Sequence, residues 1–254
     1  MLMDNSTANK LNAINQEFYQ NFSDSFNRTR NRIQPGVARI IKEIPLVGNW
    51  LDVGCGNGAL ALKWIGQDRK GVYHGVDFSD DLIKHARASI VGITKNPDMM
   101  VGFSVADLTD EKWTALLPLK MWDGVMMFAA LHHIAGYDQR LALLKAIRQL
   151  LVPGNLFYLS VWQLRNSPRL MRREQPWSLV GVNLSDLEEG DILMDWRAKA
   201  SGEPEKAGLR YIHLFSDDEL LGLAEKSGFV VEYTFHSDGH EKNLGLYQCW
   251  QAVI

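Results

Sequence analysis

The stretch LDVGCGNG, residues 51–58, sets a carboxylate, Asp52, two residues ahead of glycines at 54, 56 and 58. Glycine takes positive φ readily and lets backbone come close to a ligand. An apolar run closed by an acid and a G-x-G-x-G turn therefore predicts a strand that stops against a bound molecule. The spacing differs from the G-x-G-x-x-G of pyrophosphate-binding turns, and no Lys-Ser/Thr follows as it would in a P-loop. Asp77 comes 25 residues after Asp52 and ends the next predicted strand, where a carboxylate accepts both hydroxyls of a ribose. Asp107 ends the third. Its carboxylate suits an adenine amino group, with the Leu108 N–H on a ring nitrogen. Any one of these acids could be a helix N-cap or a turn former. Three of them at successive strand ends, beside a glycine turn, point to a nucleoside-type ligand; Cys55 and Asn57 read as turn and packing residues.

The elements that must position these groups follow from periodicity. Residues 49–53, 71–78, 100–107, 122–131 and 155–162 read as strands, and 79–90 and 138–151 as helices between them. Ser79 caps its helix, with acids in the first turn. Alternating strands and helices predict a mostly parallel sheet covered on both faces. Ahead of it, Leu11, Ile14, Phe18, Phe22 and Phe26 form a helical stripe, followed by Arg28, Arg30 and Arg32. Residues 1–35 are expected to form a helical cap on a domain of residues 36–254. Within that domain, residues 163–209 break the rhythm and predict an insertion with lid or acceptor-site character. The alternation resumes with a helix over 217–227 and two closing strands, expected as an antiparallel hairpin.

Bulk composition narrows the class. With 254 residues and 46% hydrophobic content, the chain suits one large domain or one domain with an insertion. A net charge of −3 neither requires nor excludes a nucleic-acid partner, because a local basic patch can sit on an acidic protein. Cys55 and Cys249 match no disulfide framework or metal spacing, so no metal is expected. The N-terminus lacks a signal-peptide pattern and the longest apolar run, VMMFAAL, is too short to span a bilayer. A soluble, cytoplasmic protein without a membrane partner is the expectation.

On these residues the chain resembles the class I S-adenosylmethionine-dependent methyltransferases, over roughly 36–162 and 210–254. LDVGCGNG is similar to their first motif, Asp77 to their ribose-binding acid and Asp107 to their adenine-side acid. The resemblance implies a Rossmann-like α/β fold: a mostly parallel seven-stranded sheet, an N-terminal helical extension, and an insertion before the last helix and strands. It also implies S-adenosylmethionine as cofactor. Asp52 would contact the methionine amino group and Gly54 would line the methionyl portion. Tyr19, Arg30, Gly56, Asp77, Phe78, Asp107, Leu108 and Ala129 would complete the binding set.

A more specific resemblance runs through the flanks. NQEFYQNFSDSFNRTRNRIQPGV (15–37), LHHI (131–134), VW (161–162), GDILMDW (190–196) and RYIHLFSDDEL (210–220) occur in this order. Together they resemble the tRNA methyltransferases that esterify carboxymethyluridine at the wobble position. That resemblance implies a tRNA substrate and, as for eukaryotic members, a small activating protein partner. Ile212 replaces the family's second tyrosine, Asp195 its proline before the tryptophan, and NLGLY (243–247) its Asn-Trp-Tyr run, so the acceptor surface is altered.

Candidate acceptor residues follow, each with a plainer reading beside it. Arg30 would hold a phosphate or the acceptor carboxylate, or else form a surface ion pair. His133, after the fourth strand, would sit at the methyl-transfer point with His132, or the two would be a turn residue and a packed histidine. Arg210 and His213 would face the acceptor, or form a salt bridge and a buried, hydrogen-bonded histidine. Trp162 and Trp196 would stack on a base or pack in the core. Arg165, Arg169, Arg172 and Arg173 would contact phosphates or make a solvated face. An ionised carboxylate acceptor would explain why no catalytic base stands out. Two rival readings stay open: a small-molecule O- or N-methyltransferase, and a non-catalytic cofactor-binding regulator or scaffold.

Overall fold

The computed structural model describes residues 3–29, 32–93, 96–198 and 206–253. The elements run α1 (Asn5–Thr29), α2 (Pro35–Glu43), β1 (Trp50–Val53), α3 (Ala59–Ile65), β2 (Gly71–Asp77), α4 (Asp80–Ser89), β3 (Met99–Val105), β4 (Trp122–Phe128), α5 (Tyr137–Gln149) and β5 (Leu151–Trp162). After these come α6 (Pro168–Met171), β6 (Glu174–Gln175), β7 (Asp191–Ala198), β8 (Lys206–His213), α7 (Asp217–Lys226), β9 (Phe229–Ser237) and β10 (Gly245–Ala252).

The main sheet has seven strands in the order β3-β2-β1-β4-β5-β10-β9. Strands β1 to β5 pair in parallel, whereas β10 is antiparallel to both β5 and β9. This is the mostly parallel α/β sheet expected from the alternation and the Rossmann-like architecture that the resemblance implied, with the closing hairpin slotted in so that β10 lies against β5. Side-chain alternation along the strands separates two cores. Leu51, Val53, Val125, Met127, Phe157 and Leu159 pack with Leu143, Leu144, Leu220 and Leu223 of α5 and α7. Trp50, Tyr73, Met126 and Tyr158 pack with Ile40, Ile41, Trp64, Ile83 and Ala86 of α2, α3 and α4.

Local chemistry fixes the helix starts. Pro35 occupies the first turn of α2, where its missing N–H costs nothing. Ser79 accepts from Leu82 N at 3.3 Å ahead of Asp80 and Asp81, and Ser216 accepts from Glu219 N at 3.1 Å ahead of Asp217 and Asp218. These acids complement the positive ends of α4 and α7. Pro153 and Gly154 lie inside β5, where Gly154 has φ +87° and the β4–β5 register shifts.

The segment after β5 is more ordered than a loop. It carries a second, antiparallel sheet of order β6-β7-β8. Residues Arg210–His213 belong to this sheet and not to the main one, so the chain re-enters the core of the main sheet only at α7. One side of the second sheet packs Leu193 and Tyr211 against Ala8 and Leu11 of α1 and against Trp177. Another cluster packs Ile192, Met194 and Ile212 with Leu164. Among the described residues, no helix is long and apolar enough to cross a membrane.

Candidate active site

Strand β1 lies between β2 and β4, where chain order reverses across the sheet, and crevices at such switch points bind ligands at the carboxyl ends of the strands. A cavity of about 480 Å³ opens there. It has one wall of strand-end turns and another built from α1, Trp162 and the second sheet.

In the first wall the backbone turns sharply after Val53. Gly54 has φ +76° and its N–H donates to Val76 O at 2.8 Å; a Cβ there would lie 2.6 Å from the Ala130 methyl. Gly56 has φ +55° and open space where a Cβ would project, so the turn presents bare backbone to the cavity. Gly56 N donates to Asp77 Oδ2 at 2.9 Å and Ser79 N to Asp77 Oδ1 at 3.0 Å. Burial pushes the Asp77 carboxyl above its ordinary value while these N–H donors partly offset it. Asp52 is only 3% exposed and accepts a short hydrogen bond from the Tyr73 hydroxyl. Burial raises its pKa to about 7, against the lowering effect of Tyr73. Enclosure and the neighbouring Asp52 and Asp77 hold the Cys55 thiol well above its usual range, so it stays protonated and is no nucleophile. Ala129 takes left-handed backbone, φ +53°, with its N–H on Ser160 O at 3.0 Å. Such a conformation in a residue with a Cβ is sparsely populated and concentrates at ligand sites.

Asp107, Leu108, Phe78 and Tyr19 also line the cavity. Asp107 Oδ1 accepts from Thr109 N at 2.9 Å and Thr109 Oγ1 at 2.7 Å, and its Oδ2 from Gln16 Nε2 at 2.8 Å. The Tyr19 ring meets Phe78 edge-on at 5.7 Å. His133 Nδ1 lies 3.2 Å from the Tyr211 carbonyl, which can only accept, so Nδ1 donates. Nε2 lies 3.0 Å from the Tyr19 hydroxyl. Asn15 braces the same junction, donating to His133 O at 3.0 Å and accepting from Tyr211 N at 2.8 Å.

The second wall brings Trp162, Leu164, Leu170, Arg173, Met194 and Arg210 to the cavity. Arg210 is 8% exposed, its guanidinium 4.7 Å from the Trp162 ring centroid and 5.6 Å from that of Phe18. Trp162 lies at 4.4 Å from the buried His132 ring. Trp196 packs on Phe18 and Phe22 of α1, so it anchors the second sheet and does not line the cavity.

His213 does not join this group. Strand residues alternate between faces, so Arg210 and His213, three apart, point to opposite sides of β8. His213 is 1% exposed, with Nδ1 2.7 Å from Asp191 Oδ1 and Nε2 2.8 Å from Glu219 Oε2. Burial alone would lower its pKa, but the two carboxylates outweigh that and raise it. A ring with carboxylates at both nitrogens is held as the imidazolium. Buried Arg140 completes the network, reaching Glu188 Oε2 at 2.6 Å and Glu219 Oε1 at 3.1 Å. Glu188, Asp191 and His213 offer ligand atoms within 4.8 Å of one another, a spacing a cation could bridge. Arg140 already supplies positive charge to Glu188, which also accepts from Tyr137 N at 2.8 Å. The expectation of His213 facing an acceptor gives way to the plainer reading, a buried histidine that fastens the second sheet to α7.

Arg30 and the Arg28 side chain lie outside the described residues; Arg32, from the same basic run, reaches the cavity. Arg165, Arg169 and Arg172 are exposed, and of the four insertion arginines singled out in the sequence Arg173 alone is at the cavity wall. Sequence reasoning missed Asn12, Asn15 and Gln16. With Tyr19 they repeat at helical spacing and all four line the cavity, a polar stripe overlooked beside the apolar one.

These residues fit S-adenosylmethionine. The bare turn at Gly54 and Gly56 admits backbone approach, Asp77 and Asp107 stand at the carboxyl ends of neighbouring strands, and Asp52 supplies a buried acid for an ammonium.

Residues 26–234 match a family described as "Methyltransferase domain". The chain is 26% identical over 243 residues to the tRNA (carboxymethyluridine(34)-5-O)-methyltransferase of Schizosaccharomyces pombe, covering 87% of this chain and 91% of that protein. It is 22% identical over 261 residues to tRNA (carboxymethyluridine(34)-5-O)-methyltransferase alkbh8 of Xenopus tropicalis, covering 87% of this chain but only 39% of that protein's length. A solved S-adenosylmethionine-dependent methyltransferase from Methanosarcina mazei superposes with a TM-score of 0.65 at 21% identity, covering 87% of this chain and 99% of that one. The glycine turn, the acids at the strand ends and the match over most of the chain agree: this protein belongs to the methyltransferase-domain family and is a class I S-adenosylmethionine-dependent methyltransferase.

Proposed function

We propose that the chain methylates the carboxylate of a carboxymethyluridine at the wobble position of a tRNA. The observation that carries this reading is Arg210, a buried cation on the cavity wall opposite the cofactor turn, lying over the Trp162 ring. An arginine fork suits a carboxylate, and an indole offers a plane for a base. The names of the frog and fission-yeast relatives add independent support.

Bound S-adenosylmethionine supplies a methyl group on a sulfonium sulfur, an electrophilic carbon. A carboxylate acceptor, with an ordinary pKa of about 4, is ionised at neutral pH, so no residue has to remove a proton. His133 Nε2 and the Tyr19 hydroxyl, 3.0 Å apart, position α1 against the cavity. Opposite charges cancel during the transfer, so the apolar rim of Leu164, Leu170 and Met194 favours the transition state over separated ions. The remaining contribution is placement of acceptor oxygen, carbon and sulfur on one line. The same rim suits a small carboxylic acid, the second reading.

The test is transfer of a labelled methyl group into tRNA from cells lacking this gene, and separately into a metabolite extract, followed by nucleoside mass analysis. An alkali-labile methyl ester on wobble carboxymethyluridine is the expected product. Label confined to a small acid would favour the second reading. No label in either, with cofactor bound and an activating partner supplied, would defeat both.

A further inference from the structure

We propose that Arg173, fixed by Asp195, is a second anion subsite in the acceptor wall, and that it takes a phosphate of the nucleotide being methylated. This deepens the reading above and rests on it for the identity of the acceptor, though not for the existence of the subsite.

The geometry is specific. Arg173 Nε donates to Asp195 Oδ1 at 2.8 Å, and Asp195 N donates to the Arg173 carbonyl at 3.1 Å. Backbone and side chain are thereby held to the same β7 residue. Asp195 Oδ2 is taken by Arg197 Nε at 2.8 Å. Two guanidinium groups share one carboxylate. The two arginines hold the Asp195 carboxyl below its ordinary value even though burial works the other way, so the tether persists at any pH near neutral. Among the described residues, the terminal nitrogens of Arg173 have no hydrogen-bond partner, and Arg173 lines the cavity. A guanidinium tethered through Nε still offers its two terminal nitrogens, the edge suited to paired oxygens.

The subsite is separate from Arg210. Met194 of β7 pairs with Arg210 on one side and with Glu174, next to Arg173, on the other. Glu174 and Arg210 thus flank Met194, about two inter-strand spacings or roughly 10 Å apart along the sheet, and Arg173 joins the cavity wall beside Glu174. An acceptor with one anionic group at each would be seated at two points. For a nucleotide carrying a carboxylate on its base, the second anionic group is the phosphate. Asp195 acts as a positioning residue: it sets the direction of the Arg173 fork without touching the acceptor.

Two measurements test this. In the first, inorganic phosphate is titrated into the full chain against sodium chloride of equal ionic strength, and the melting temperature is followed. Phosphate should raise it in the wild type more than chloride does, and this increment should vanish in Arg173→Gln and shrink in Asp195→Asn. In the second, methyl transfer is measured to 5-carboxymethyluridine and to its 5′-monophosphate. The ratio of KM for the nucleoside to KM for the monophosphate should fall about tenfold in Arg173→Gln, the effect of one charge-assisted hydrogen-bonded contact, and Arg173→Lys should restore part of it. A phosphate increment that persists in Arg173→Gln, or an unchanged KM ratio, overturns the subsite. If the wild type methylates neither acceptor, the carboxymethyluridine reading fails, while the phosphate titration still decides whether Arg173 binds anions.

Discussion

The two walls of the cavity are built on different principles. The cofactor wall is a set of strand-end turns on one rigid parallel sheet. Its acids sit at or near the carboxyl end of each strand, and its groups are held by backbone bonds such as Gly56 N to Asp77. The acceptor wall joins segments far apart in the chain: α1, the turn after β4, the end of β5 and the second sheet. Its groups are held by side-chain clamps, with Asn15 bridging to Tyr211 and Asp195 tethering Arg173. The first wall can tolerate little change without losing its ligand. The second can change its acceptor by exchanging a few side chains while the sheet beneath remains the same.

The sharpest way to break this comparison is His213. If the acceptor wall depends on its anchors, His213→Ala should cost about 3–5 kcal/mol of stability, the usual penalty for stranding partners of a buried ion network. Denaturant unfolding measures this, and the protein that remains folded should bind cofactor with little change. A stable variant with a selective defect in methyl transfer would instead return His213 to the acceptor site. The Asp191–His213–Glu219 bonds also set a pH dependence. The histidine is raised above its ordinary value in the folded state. Its stabilisation is therefore fully present below the unfolded pKa of about 6.5 and is lost as pH rises through the folded one. Wild-type stability should show that loss and His213→Ala should not.

Asp77→Asn comes next. It removes the charge but keeps one oxygen for the backbone donors, so the fold should hold while cofactor affinity falls about a hundredfold, the worth of two charge-assisted hydrogen bonds. Calorimetric titration with S-adenosylmethionine decides it. Arg210→Gln separates the walls from the other side. It should leave the cofactor Kd within about twofold and lower kcat/KM for a carboxylate acceptor about thirtyfold, equivalent to roughly 2 kcal/mol. Equal losses in both would mean that the walls are one coupled unit.

The difference between the walls also explains what was legible in the sequence. Asp52, Gly54, Gly56, Asp77 and Asp107 could be read because strand-end chemistry repeats locally, and a short window holds each turn and the run before it. The mostly parallel sheet followed from the same alternation. The second sheet did not: β6 has two residues, and no local period shows that it pairs with β7 across the polar segment between them. The opposed faces of Arg210 and His213 became plain only once β8 was known to be a strand. On α1 both stripes were present in the sequence, but an apolar stripe signals burial in any context. A polar stripe such as Asn12, Asn15 and Gln16 gains meaning only when something polar, here Asp107 and the Tyr211 backbone, is brought against it.

The smallest effect concerns Asp52, where the cofactor wall makes its least obvious demand. A carboxyl buried beside Tyr73 with a pKa of about 7 is only partly ionised at neutral pH, yet an ammonium group pairs with the ionised form. In the ligand-free protein the raised pKa means that the folded state keeps a proton the unfolded chain releases near its ordinary carboxylate value. Asp52 therefore makes stability fall as pH rises between those two values. A bound ammonium reverses the preference by favouring the carboxylate. Between pH 6 and 8 the ionised fraction rises for a group with this pKa, and affinity for S-adenosylmethionine should rise with it, by at most about tenfold because an α-ammonium begins to lose its proton near pH 8. In Asp52→Asn the affinity should be weaker and flat over the same range. A wild-type affinity already independent of pH would show that Asp52 is ionised throughout or does not meet the ammonium, and the acid ahead of the glycine turn would then be a structural partner of Tyr73.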